Sequence, residues 1–90
     1  MDKNKIALSS LAMDLNRIAI GTNRGSFEMA NKFKIEASKR IKEIDISTVQ
    51  PYLQQIIIKI ETMLSSSEKP KLAEDSLMYS VRVQNYVLFK

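Results

Sequence analysis

The sequence predicts an all-α fold: a small helical bundle of three or four helices with one long N-terminal helix, a break at Gly21–Gly25 being the alternative. Three observations predict it. No proline occurs before position 51, and the only glycines are Gly21 and Gly25. Apolar residues recur at spacings of three and four in successive segments, which is the helical period. The polar stretches between those segments carry helix-start signals rather than hairpin turns.

The opening segment is read as one helix over residues 5–44. At 100° per residue, Leu8, Leu11, Leu15, Ile18, Thr22, Ser26, Met29, Phe33, Ala37 and Ile44 fall in one sector about 100° wide. That phase continues across "GTNRGS" (residues 21–26), and a loop there would have to preserve it by accident. Each glycine costs an uninterrupted helix about 1 kcal/mol relative to alanine, leaving a soft point. The competing hairpin has Asn23 or Gly25 as the helix C-cap. Ala19, Thr22, Gly25 and Ser26 are small enough to let another helix approach closely. Met13, Ile20 and Phe27, seven residues apart, lie on a different side from the main stripe. A helix apolar on two sides needs two partners, so these three residues are the candidate self-association surface. That inference requires the helix to be continuous.

A second helix is expected to begin between Ser47 and Pro51. Ser47 and Gln50 have the S-x-x-Q spacing of a capping box, and Pro51 is tolerated only in an early turn. Val49, Leu53, Ile56, Ile57, Ile60, Met63 and Leu64 form its stripe; "IIIKI" alone would suit a buried strand, but the flanking periodicity favours helix. "SSSEKP" (65–70) reads as a connector, with capping-box spacing between Ser65 and Glu68 and Pro70 in the first turn of the last helix. In that last segment Leu72, Ser76, Tyr79, Val83, Tyr86 and Val87 share one side, while Leu77, Val81 and Leu88 populate another with Met78 and Phe89 beyond it, so the helix reads as widely buried. A hairpin through "VRVQNYVLF" is disfavoured because Gln84-Asn85 is a poor two-residue turn without glycine.

Ninety residues suit one domain with a thin core, for which a second copy of the chain would be a natural support. With no cysteine and no histidine, disulfides, the usual zinc, haem and iron-sulfur ligands, and every Cys-His or Ser-His nucleophile are excluded. No stretch approaches the roughly 18 apolar residues of a membrane span, and the N-terminus lacks signal-peptide form. A cytoplasmic protein is the expectation. "GTNRGS" has neither the glycine spacing nor the lysine of a phosphate-binding P-loop. Glu74 and Asp75 are adjacent, so they point about 100° apart on a helix and cannot share a proton. Glu28 and Glu36 lack the histidines of a di-iron bundle, and Asp14 has Arg17 as its i+3 partner. No catalytic, metal or cofactor site is therefore predicted, and no small-molecule substrate.

The net charge of +4 lies entirely in the first half, where residues 1–44 hold nine Lys/Arg against five Asp/Glu and residues 45–90 hold five against five. Arg17, Arg24, Lys32, Lys39 and Lys42 occupy a broad sector opposite the main stripe, the candidate contact for a polyanion. No aromatic platform is interleaved with them. Membrane-surface binding ranks below both readings, because tryptophan anchors are absent. The function expected is a non-enzymatic interaction module, a homo-oligomer with the dimer favoured, that self-associates along the Met13, Ile20 and Phe27 side, with the C-terminal helix as a further candidate for that contact. The alternative is a nucleic-acid-binding accessory protein that uses the basic row.

Overall fold

A computed structural model describes residues 3–65 and 69–89; the connector residues Ser66, Ser67 and Glu68, and with them the second capping box, lie outside it. The described residues form four α-helices and no strand: α1 (Lys3–Asn23), α2 (Phe27–Glu43), α3 (Pro51–Ser65) and α4 (Lys69–Phe89), with a single 3-10 turn at Ile46–Thr48 between α2 and α3.

The first helix does not continue through the glycines. It ends at Asn23, and the chain reverses in three residues to start α2 at Phe27. Two hydrogen bonds close the turn: Ser26 N–H donates to Gly21 O at 2.8 Å, and Gly25 N–H donates to Thr22 O at 3.1 Å. This nested pair is the Schellman motif, which requires a left-handed residue at the first position past the cap. Gly25 supplies it with φ +75°. The long-helix expectation is therefore corrected to the hairpin alternative. The apolar phase survived because the three turn residues, Arg24–Ser26, stand in for nearly one helical turn of 3.6 residues. Gly21 has a different role. A Cβ there would lie 3.1 Å from Ala30 N and 3.3 Å from Met29 Cγ, so its bareness lets α2 fold back against α1.

Contacts between α1 and α2 climb one helix as they descend the other, from Gly21 beside Ala30, through Asp14 beside Arg40, to Asn4 beside Asp45. The pair is antiparallel. At its lower end Asn4 Oδ1 accepts from Asp45 N–H at 3.0 Å, and its Nδ2 donates to Thr48 Oγ1 at 2.7 Å, tying the α2–α3 connection to α1. The expected capping box of Ser47 and Gln50 does not form. Asp45 caps the 3-10 turn instead, accepting from Ser47 N–H at 3.3 Å and Ser47 Oγ at 2.7 Å. Helix α3 then starts on Pro51, whose missing N–H costs nothing in a first turn.

Helix α4 also runs antiparallel to α1. Small residues let the two approach: Ser80 Oγ donates to Ala12 O at 2.8 Å inside the interface, and Ala73 and Ser76 are buried along the same helix. Helix α3 packs on α2 and α4. Between the four helices lies a core of Leu8, Leu11, Leu15, Ile18, Leu53, Ile57, Ile60 and Val83, each essentially inaccessible to solvent, with Phe33, Tyr79 and Tyr86 at its edges. Every member comes from an apolar stripe visible in the sequence. No helix of the described residues is long and apolar enough to cross a membrane.

Candidate functional site

The hairpin redistributes the residues singled out for self-association. Met13 stays on the outer side of α1 and is 55 % exposed; Ile20 is half-buried; Phe27 opens α2 and is 48 % exposed. They no longer form a row on one rod, because Phe27 belongs to another helix. Met13 instead has company from residues expected in the core. Leu77 and Val81 are each 49 % exposed, and Leu88 is 64 % exposed. The expectation of a widely buried last helix is thus corrected. Only the side of α4 bearing Leu72, Ser76 and Val83 meets the core, and the i, i+4, i+11 row of Leu77, Val81 and Leu88 points outward.

These residues surround a groove of about 340 Å³ between α1 and α4. Its floor is Ala12, Ser80 and Val87, its α1 wall Ser9, Met13 and Asn16, and its α4 wall Leu77, Val81, Gln84 and Leu88. No lining residue is charged, in a chain of which 27 % is Asp, Glu, Lys or Arg. Ile6, also half exposed, continues the Met13 side of α1 one heptad earlier. The C-terminal helix is the further self-association candidate of the sequence, and its signal is the same as that of α1: α4 is apolar on two sides, so the two-partner argument applies to it.

The α1–α2 seam is where the charges meet. Asp14 is 6 % exposed and sits 3.9 Å from Arg40 Nε, while Arg40 Nη1 donates to Glu43 Oε1 at 3.1 Å. The i+3 pairing of Asp14 with Arg17 is replaced by this contact across the hairpin. Asp14 Oδ2 and Arg40 Nε are both buried without a hydrogen bond. Burial pushes the Asp14 carboxyl above its ordinary range, against the pull of Arg40 and then Arg17, and Glu36 adds to the rise.

Of the five predicted polyanion contacts, Arg17 and Lys32 are brought together. The Arg17 guanidinium carbon lies 5.1 Å, and Lys32 Nζ 5.7 Å, from the centroid of the Phe33 ring. Arg24 is exposed in the turn, two helical turns past Arg17. Lys39 is tied to Glu36 at 3.8 Å, and Lys42 borders a separate groove between α2 and α3 beside Glu61.

Among the described residues no group of three or more acidic side chains could share a metal ion. The groove offers apolar contact and amide or hydroxyl hydrogen bonds, with no titratable side chain along its walls. No family model, curated protein or solved structure matches the chain. The reading of function therefore rests on the geometry alone.

Proposed function

We propose that this chain is a non-enzymatic interaction module that forms a weak homodimer through the outer face of α1 and α4. The observation that carries the reading is the charge-free groove ringed by Met13, Leu77, Val81 and Leu88, each about half exposed or more. A second copy suits it for two reasons. The face carries both a cleft and protruding side chains, so a two-fold contact can seat the ridge of one copy in the groove of the other. Each copy carries +4 overall, and an uncharged meeting face avoids setting like charges against one another.

The strength follows from the area. Withdrawing the exposed half of an aliphatic side chain from water is worth roughly 1 kcal/mol, half the value for full burial. With Ile6, five such residues from each copy contribute about 10 kcal/mol, and association costs at least about 4 kcal/mol in lost freedom. The balance corresponds to a Kd of roughly tens to hundreds of micromolar. Amide chemical shifts followed over a dilution series test this. Concentration-dependent shifts confined to the α1–α4 face support the reading, whereas shifts clustered on α2 or α3 would transfer the contact elsewhere.

A further inference from the structure

The second candidate surface becomes sharper once the ion pairs are assigned. In sequence the basic row is diluted by Asp14, Glu28, Glu36 and Glu43. In the folded chain three of those carboxylates already have cations: Glu36 has Lys39, while Asp14 and Glu43 have Arg40. Arg17, Arg24 and Lys32 have no carboxylate within salt-bridge distance among the described residues, and all three are exposed. Two of them, from different helices, converge on the face of Phe33, whose ring quadrupole holds cations in place. We propose that Arg17, Arg24 and Lys32 form a contact surface for the phosphate backbone of nucleic acid, and that Lys39, tied to Glu36, and Lys42, which borders the α2–α3 groove beside Glu61, take no part.

The spacing suits a strand. Arg17 and Arg24 are seven residues apart, which on a helix is about 10 Å, or three base steps at 3.4 Å per phosphate. Nothing beside the cations reads bases. Phe33 is half-buried in the core edge and its face is taken up by Arg17 and Lys32, so it offers no stacking platform. Contact through phosphates alone gives binding with little sequence preference and strong dependence on salt. An anionic membrane is the less favoured partner. The exposed apolar residues of α2 near the cations, Phe27 and Ile35, are single side chains about two turns apart, and no tryptophan accompanies them to anchor the chain in a bilayer.

The test is fluorescence anisotropy of a labelled duplex with the full chain over a salt series. Three phosphate contacts give a log–log slope near −2.7, so affinity falls about 40-fold between 50 and 200 mM salt. Arg17→Gln, Arg24→Gln and Lys32→Gln should each reduce that slope by about 1, and Lys39→Gln and Lys59→Gln should leave it unchanged. All five side chains are exposed, and circular dichroism checks that each variant folds. Four results would overturn the proposal: no binding at the lowest salt, an equal loss in the Lys39 or Lys59 variants, no loss in the three named variants, or binding to phosphatidylserine vesicles without binding to duplex.

Discussion

The two glycines make opposite predictions for a hairpin and for a continuous helix, and the structure supplies the magnitudes. At Gly25 an added Cβ would meet nothing within 4 Å, so Gly25→Ala is penalised only by the left-handed backbone at φ +75°. That penalty is about 1–2 kcal/mol, offset in part by the 0.4–1 kcal/mol that alanine gains by restricting the unfolded chain. A net loss of about 1 kcal/mol follows, and Gly25→Asn should recover most of it because asparagine tolerates this region. At Gly21 the backbone is helical and alanine would gain about 1 kcal/mol in propensity. Its methyl, however, would stand 3.1 Å from Ala30 N, and a backbone atom cannot rotate away as a side chain can. Separating α1 from α2 costs about 1–3 kcal/mol, so Gly21→Ala is also destabilising, by about 1 kcal/mol. For a domain of this size each loss lowers Tm by about 4–8 °C in a thermal melt. A continuous helix would instead be stabilised by about 1 kcal/mol at each position. If both alanine variants melted higher than the parent, the hairpin turn at Gly25 would be wrong.

Other perturbations rest on the same packing. Asp14→Asn should raise Tm at neutral pH. Burial raises the folded-state pKa of Asp14, so the group contributes stability that is complete below its unfolded value of about 3.9 and is lost as pH rises through the folded one. The advantage of the variant should accordingly shrink as melts are repeated towards acid pH, and an advantage independent of pH would contradict the assignment. Leu15→Ala, at a fully buried position of α1, should cost about 3–5 kcal/mol in urea unfolding, enough to unfold a large share of so small a domain. Ser80→Ala should cost only about 1 kcal/mol, one buried hydrogen bond to Ala12 O, whereas Ser80→Leu should separate α4 from α1 and cost more.

Much of the fold was legible because a helix writes its buried side at a fixed period. Leu8, Leu11, Leu15 and Ile18 in α1, and Leu53, Ile56, Ile57 and Ile60 in α3, stand in the core as their spacing implied. Pro51 marked the start of α3 for a covalent reason that holds in any context. The turn at Gly25 was obscured because a three-residue reversal returns the chain nearly in phase, so the stripes of α1 and α2 read as one. The hydrogen-bond pattern of residues 21–26 and the left-handed Gly25 separate the two cases. The charged seam was illegible for a related reason: the pairing of Asp14 with Arg40 joins residues 26 apart, which become neighbours only after the reversal. The outward row of Leu77, Val81 and Leu88 was visible as a second apolar side. That α1 and α3 cover only one side of α4 depends on how many helices surround it, and periodicity carries no information about that number.

Self-association through the α1–α4 face is tested most directly by sedimentation equilibrium of the parent chain beside Val81→Asp. Val81 is half exposed, so a carboxylate there is solvated in the monomer and leaves its fold intact, but would be buried unpaired in the dimer. The parent should pass from monomer towards twice its mass as concentration rises through the high micromolar range, while the variant stays monomeric with an unchanged melting temperature. A parent that remains monomeric throughout, or a variant that dimerises equally well, would contradict the account.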